Sequence, residues 1–186
     1  GTYAIKSHAV DNAGNVENTD TLTIVFDKTI PEVTLAIEPR NPNGDNDWYV
    51  SHPEISLSAN DNFALEKIEY QIDSTSGTWN TYSAPIKIDD GRHVFYYRSI
   101  DKAGNMSGVG AKNVKVDTRN PDNVKNLDAE YEEDREAVRL TWDADDGDID
   151  KVFIYRGKSR EFHINGSSRI AKNDDNDESY TDGGRK

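Results

Sequence analysis

The chain has 186 residues, no cysteine and a formal net charge of −13, from 35 acidic and 22 basic side chains. Without cysteine it can form neither a disulfide framework nor a thiolate metal site. Such an acidic surface repels phosphate groups, which argues against a nucleic-acid partner, and no apolar run approaches the roughly 18 to 20 residues of a membrane span. Two interpretations of the acidic side chains remain, a solvated surface or a set of carboxylates that binds cations.

A short turn sequence occurs twice, ninety positions apart. Residues 11–15 read Asp-Asn-Ala-Gly-Asn and residues 101–105 read Asp-Lys-Ala-Gly-Asn, while Asp27 in the following linker returns as Asp117. In each copy the turn lies between two stretches with period-two alternation, which is typical of a β-hairpin. A fixed long period of this kind indicates tandem modules.

Residues 1–29 are predicted to hold only the first of these hairpins. Apolar side chains alternate at Tyr3 and Ile5 before the turn and at Leu22 and Ile24 after it. Because two strands are marginally stable in water, we expect this segment to be the C-terminal strand hairpin of a preceding module.

Residues 30–119 are predicted to form one complete module. Period-two alternation recurs there with turn residues between the stretches and no helical period, which predicts an antiparallel β-sandwich of about seven strands. The alternating stretches are residues 33–37, 55–59, 67–73, 79–82, 85–88, 93–99 and 114–116.

Residues 120–186 begin a further module after Asn120-Pro121. We expect five strands, around Val124, Val138, Val152, Ile170 and Tyr180. Five strands are too few for a full sandwich, so this module is predicted to be truncated, either by cutting of the chain or with a role for its open edge. In the second case residues 3–26 of one molecule would complete residues 121–182 of another.

Two patterns of residues resemble known families. Residues 70–73 and 91–101, Trp79 with Tyr82, residues 103–105 and Val116-Asp117 resemble the bacterial immunoglobulin-like repeats of secreted and cell-surface proteins. Pro121, Val124 and Leu127, with residues 138–142, 152–157 and 179–182, resemble the front of a fibronectin type III domain. The resemblance implies an all-β chain of tandem immunoglobulin-like and fibronectin type III sandwich modules, of the kind that serve as extracellular spacers, stalks and adhesive arms.

A calcium site is predicted at the entry to the complete module. In a sandwich of this topology the entry linker and the loops after the second and sixth strands meet at one pole. Carboxylates held together there take up protons, stay solvated or share a cation, and oxygen ligands suit Ca²⁺. The resemblance also implies calcium at such junctions, although Asp and Asn are good turn residues in their own right. The predicted ligands are Asp27, Asp61, Asn62, Asp101 and Asn105.

A second, weaker metal site is predicted at the next junction. Its ligands would be Asp117 with Asp143, Asp145 and Asp146.

Nothing in the sequence indicates an enzyme. The four histidines are scattered without zinc-ligand spacing, and neither a nucleophile elbow nor a phosphate loop is present. His93 is predicted to pack at the edge of the core. We therefore expect a non-catalytic extracellular spacer or adhesion segment, whose partners are other domains of the same polypeptide and a cell-surface protein or polysaccharide.

The alternative function is that of an accessory carbohydrate-binding module in a secreted glycan-active enzyme. Trp48, Tyr49, Trp79 and Tyr82, with Tyr96, could form an aromatic platform on which sugar rings stack. The same rings could instead cover the ends of the sandwich.

Overall fold

The computed structural model describes residues 1–143, 149–174 and 178–183. These residues form fifteen β-strands and one 3₁₀ turn (Glu133–Arg135), with no α-helix among them. The all-β class predicted from the sequence is thus confirmed. No helix in these ranges is long and apolar enough to cross a membrane. The chain divides into two compact units, residues 1–118 and residues 119–186.

The first unit begins with an isolated hairpin. Strands β1 (Thr2–Ser7) and β2 (Asp20–Val25) pair antiparallel with Tyr3 opposite Ile24, and no other strand of the described residues pairs with either of them. Their side chains are exposed on both faces.

The next eight strands form two sheets. The smaller sheet has the order β3-β5-β8, and the larger has the order β4-β10-β9-β6-β7, antiparallel except for β4 with β10. Their bounds are β3 (Glu32–Glu38), β4 (Trp48–Tyr49), β5 (Glu54–Asn60), β6 (Leu65–Ile72), β7 (Asn80–Thr81), β8 (Ile86–Lys87), β9 (Gly91–Asp101) and β10 (Gly110–Val116).

One hydrophobic core joins these two sheets. Ile55 and Leu57 of the smaller sheet pack in a single buried cluster with Phe95, Val114 and Val116 of the larger one. These residues occupy alternate positions along β5, β9 and β10, so the period-two pattern of the sequence is also the pattern of burial.

The hairpin of β9 and β10 is the second copy of the repeat, and it has the same register as the first. His93 lies opposite Val114, just as Tyr3 and Ile24, each ninety positions earlier in the chain, lie opposite one another. The environments differ, because β9 also pairs with β6 and places Phe95 in the core at 0 % exposure, whereas the matching Ile5 is 53 % exposed.

The second unit has five described strands, as the sequence predicts. One sheet has the order β11-β12-β15 and the other pairs β13 with β14. Trp142 of β12 is buried, at 3 % exposure. The bounds are β11 (Lys125–Glu132), β12 (Ala137–Asp143), β13 (Lys151–Tyr155), β14 (Arg169–Asp174) and β15 (Ser179–Gly183).

His93 has an acidic partner that the sequence does not reveal. Its Nδ1 lies 2.8 Å from Oδ2 of Asp73, and Oδ1 of Asp73 accepts a hydrogen bond from the backbone N–H of Val94 at 2.8 Å. The hydrogen bond that His93 donates to the Asp73 carboxylate raises the pKa of His93, and the same bond lowers the pKa of Asp73. His93 is thus part of an ion pair at the edge of the module as well as a packing residue.

This pair predicts a pH-dependent stability. Because the pKa of His93 is raised, its protonated form contributes fully to the stability of the fold below the ordinary pKa of 6.5. This contribution is lost as the pH rises through the higher pKa of the folded state. The lowered pKa of Asp73 means that the contribution of the carboxylate is lost only in acid, below its ordinary 3.8. Asp73→Asn keeps an acceptor for Val94 and should lower Tm by roughly 2–4 °C at about pH 5.5.

At about pH 9 the Tm of the same variant should differ from that of the unchanged chain by clearly less, since a neutral His93 is stabilised little by a neighbouring carboxylate. Thermal unfolding at both pH values measures this. His8→Asn changes an exposed histidine and should show no such difference. An equal Tm loss for Asp73→Asn at both pH values would contradict the ion pair.

Candidate metal centre

Three aspartates from separate parts of the first unit converge at one place. Asp27 lies in the linker after β2, Asp61 follows β5, and Asp101 ends β9. Each offers a carboxylate oxygen, and these oxygens all lie within 4.8 Å of one another. Because calcium–oxygen distances are about 2.3–2.6 Å, two ligands on opposite sides of one ion are about 5 Å apart. A single Ca²⁺ could therefore contact all three carboxylates.

Local turns orient two of these side chains. Oδ1 of Asp27 accepts a hydrogen bond from the backbone N–H of Thr29 at 3.0 Å. Oδ2 of Asp61 accepts from the backbone N–H groups of Phe63 and Ala64 at 2.8 and 3.0 Å. Aspartate favours this bonding two residues along its own chain. One oxygen of each carboxylate is thereby held by its own turn.

The second carboxylate oxygen of Asp27 and that of Asp61 are the unusual feature of the site. Oδ2 of Asp27 and Oδ1 of Asp61 are buried and have no hydrogen-bond donor within the described residues. Leaving a buried carboxylate oxygen without a donor costs about 1–3 kcal/mol or more, because it has lost its water without replacement. A cation bound between these oxygens would remove that cost.

Asp101 is held by the repeated turn instead. Its two oxygens accept hydrogen bonds from the backbone N–H and the side-chain amide of Asn105, at 2.8 and 2.7 Å. Asp11 and Asn15 make the same two bonds at the same two distances in the exposed first hairpin. Turn chemistry thus explains these bonds of Asp101, but it does not explain why one buried oxygen each of Asp27 and Asp61 has no donor within the described residues.

The two predicted asparagine ligands tie the linker to the module. The side-chain amide nitrogens of Asn62 and Asn105 each lie 3.3 Å from Asp27 and donate to its carboxylate and its backbone carbonyl respectively. The N–H of Thr29, together with the amide of Asn62, lowers the pKa of Asp27 despite the opposing effect of desolvation. Asp27 is therefore anionic at neutral pH and is already anchored to both loops.

The second predicted site is only partly described. Asp117 belongs to the first unit, where its backbone N–H donates to the carbonyl of Tyr49 at 2.9 Å, and Asp143 belongs to the second unit. Asp145 and Asp146 lie outside the described residues. This site remains a prediction.

The aromatic residues proposed for sugar binding do not form one platform. Trp48 lies on β4 and Trp79 lies beside β7, at opposite edges of the larger sheet. A guanidinium group covers each ring, that of Arg92 at 4.8 Å from the centroid of Trp48 and that of Arg98 at 4.1 Å from Trp79.

The two tyrosines of the same set belong to the core. Tyr49 is 3 % exposed and offers no free ring face, because β4 carries it into the space between the sheets. Tyr82 is half-buried and packs against the same cluster. Carbohydrate binding remains a prediction.

A buried charge cluster beside Trp79 was not foreseen from the sequence. The two oxygens of Glu69 each lie 2.7 Å from a cation, Lys67 on one side and Arg98 on the other. Burial raises the pKa of Glu69, but these two partners lower it overall. Glu69 lies directly opposite Arg98 in the ladder of β6 and β9, so the strand register, once known, would have indicated the pair.

No protein-family model matches this chain, and no curated protein is significantly similar to it in sequence. A function for the chain therefore has to be inferred from its own geometry, and the convergent aspartates are the feature with the clearest chemical meaning.

Proposed function

We propose that the chain is a non-catalytic, extracellular spacer or adhesion segment of a larger bacterial surface or secreted protein, in which calcium bound by Asp27, Asp61 and Asp101 fixes a linker. The observation that supports this is the pair of buried, unsatisfied carboxylate oxygens of Asp27 and Asp61 beside Asp101. Oxygen ligands of this kind suit Ca²⁺. The immunoglobulin-like and fibronectin-like resemblance of the sequence favours the same function.

The mechanism would be mechanical. Asp27 binds from the linker that follows the hairpin, while Asp61 and Asp101 bind from the loops of the next module. An ion shared by these three residues adds strong ionic links to the two weak amide contacts of Asn62 and Asn105, both 3.3 Å long. Bending of the chain at residues 27–31 would then require a carboxylate to leave the ion. The linker would therefore keep the angle between the hairpin and the strands that follow it under load.

Addition of about 10 mM calcium should raise the Tm of the first unit by about 4–10 °C over its value in a chelator, because ligand binding at 10 to 100 times Kd stabilises by about 1.4–2.7 kcal/mol. Scanning calorimetry measures this shift. Small-angle X-ray scattering should show a narrower distribution of shapes with calcium than without it.

The matched controls come from the repeat. Asp61→Asn keeps an oxygen for Phe63 but removes a ligand charge, and it should abolish most of the calcium response. Asp11→Asn alters the first copy of the turn that holds Asp101, and it should leave the response unchanged, because no group of convergent acidic residues in the described part of the chain includes Asp11. A Tm that is indifferent to calcium in the unchanged chain would refute the proposed role.

A further inference from the structure

The sequence Asn-Gly occurs twice in the chain, in two different surroundings. Asn43-Gly44 lies in the loop between β3 and β4, and Asn165-Gly166 lies in the loop between β13 and β14. Glycine after asparagine leaves the backbone nitrogen free to approach the carbon of the side-chain amide, because glycine has no side chain to obstruct it. The local sequence is the same at both places, so a difference in reactivity has to come from the structure.

Three donors converge on the side-chain oxygen of Asn165. Its Oδ1 accepts hydrogen bonds from the backbone N–H of Ser167 at 2.9 Å, from the hydroxyl of Ser167 at 2.6 Å and from the backbone N–H of Ser168 at 3.2 Å. Donors held at a carbonyl oxygen stabilise the negative charge that develops on it when a nucleophile adds to the carbon. This turn therefore forms a small oxyanion hole around the amide of Asn165.

The incoming and the leaving nitrogen are both unengaged at this site. Neither the backbone N–H of Gly166 nor Nδ2 of Asn165 has a hydrogen-bond partner among the described residues. Asn165 is exposed, and a Cβ built on Gly166 would meet no atom within 4 Å. Closure of a ring between the two residues would therefore break no hydrogen bond of either nitrogen and would meet no obstacle.

The corresponding atoms of Asn43 are all engaged. The N–H of Gly44 donates to the carbonyl of Trp48 at 2.9 Å, and the side-chain amide of Asn43 donates to Oγ of Ser51 at 3.0 Å. Oδ1 of Asn43 accepts one bond, from the backbone N–H of Val50 at 2.9 Å. A Cβ at Gly44 would lie 2.7 Å from the side chain of Val50, so the loop is closely packed around this glycine. Attack on Asn43 would have to disrupt these contacts.

We propose that Asn165 is a site of spontaneous deamidation in the folded protein and that the fold protects Asn43 from the same reaction. The Gly166 nitrogen gives its proton to a solvent base and forms a bond to Cγ of Asn165. The bond from Cγ to Nδ2 breaks, and Nδ2 leaves as ammonia after taking up a proton from water. Water then opens the succinimide at one of its two carbonyls, which leaves aspartate or isoaspartate at position 165. The proposal does not depend on the calcium site.

The product changes both the charge and the backbone of this loop. Either product adds one negative charge, and isoaspartate also adds a methylene group to the main chain. The backbone carbonyl of Asn165 accepts hydrogen bonds from the N–H groups of Ser168 and Arg169, at 3.2 and 3.1 Å. Because Arg169 is the first residue of β14, the longer main chain of isoaspartate would disturb the start of that strand.

Peptide mass spectrometry of the whole chain, after incubation in mildly alkaline buffer, tests the proposal. The peptide that contains Asn165 should gain one mass unit at least about tenfold faster than the peptide that contains Asn43. In concentrated urea the two rates should become similar, since unfolding leaves only the shared local sequence. Equal rates in the folded protein, or a difference that persists unchanged in urea, would overturn the proposal.

Two variants test the oxyanion hole itself. Ser167→Ala removes one of the three donors and should slow deamidation of Asn165 roughly three- to tenfold, which is the effect of one hydrogen bond. Ser167→Thr keeps the hydroxyl and should keep a rate close to that of the unchanged chain. Asn43 serves as the internal reference in both variants, because its rate should not change. An equal or faster rate at Asn165 in Ser167→Ala would contradict the proposed role of the turn.

Discussion

Replacement of Phe95 by alanine should lower the free energy of unfolding of the first unit by about 3–5 kcal/mol. Phe95 is fully buried, stacks on Tyr70 with ring centroids 5.5 Å apart, and lies in the cluster that joins the two sheets. Its removal leaves a cavity that the rigid strands cannot close. Since whole domains are stable by only about 5–15 kcal/mol, this is the largest effect that we expect from a single substitution.

The matched control is Ile5→Ala, at the same place in the first copy of the repeat. Ile5 is more than half exposed, so its truncation should change the free energy of unfolding by no more than about 0.5 kcal/mol. Calorimetry at low protein concentration compares the two variants while the transition of the second unit serves as an internal reference. Equal effects at positions 5 and 95 would contradict the different packing of the two hairpins.

Asp101→Ala should have the second largest effect and should act on both stability and calcium binding. In a chelator, the variant should lose about 2–3 kcal/mol, because the backbone N–H and the amide of Asn105 lose their charged acceptor in a buried place. With calcium present the difference from the unchanged chain should increase further, since a ligand of the proposed ion is also missing.

Asp11→Ala removes the same two bonds in the exposed copy of the turn. Water can replace the lost acceptor there, so the loss should be below about 1 kcal/mol and independent of calcium. Urea unfolding of Asp101→Ala and of Asp11→Ala, each with and without calcium, measures these free energies. If Asp101→Ala responded to calcium as the unchanged chain does, Asp101 would not be a ligand.

Both predictions rely on one property of the chain, which is that two hairpins with the same strand register and the same turn bonds occupy different environments. The first copy shows what the turn and the strands do without a module around them. The second shows what burial adds, namely a packed Phe95 and an Asp101 that lies beside two other carboxylates. The repeat therefore contains its own control for each substitution.

Most of the fold was accessible from local pattern. Alternation with period two marked the strands, because a strand with one buried face has no other way to place its side chains. The turn at residues 101–105 was recognisable because it repeats residues 11–15 and contains Gly and Asn. In the structure Gly104 adopts φ of +89°, where an L side chain is strained, and Asn105 bonds back to Asp101. The convergence of Asp27, Asp61 and Asp101 followed from the expected topology and is present in the structure.

Other features depended on distances that no local pattern encodes. The sequence did not show that Asp73 would reach His93, because the two residues are 20 positions apart with β7 and β8 between them, and Asp73 has a φ of 62°. It did not show that Tyr49 would turn inward while Trp48 remains beneath Arg92. These outcomes depend on strand order and on the short parallel pairing of β4 with β10.

By itself, the sequence determined the all-β class, the ninety-residue repeat and the identity of the residues in each turn, since these depend on side-chain periodicity and backbone preference within a few residues. Only the tertiary structure decided which copy of the hairpin is buried. It also decided that one oxygen each of Asp27 and Asp61 lies buried without a donor. The physical reason is that burial and electrostatic contact arise between segments distant in the chain, so they depend on how the sheets pack and not on the pattern within either strand.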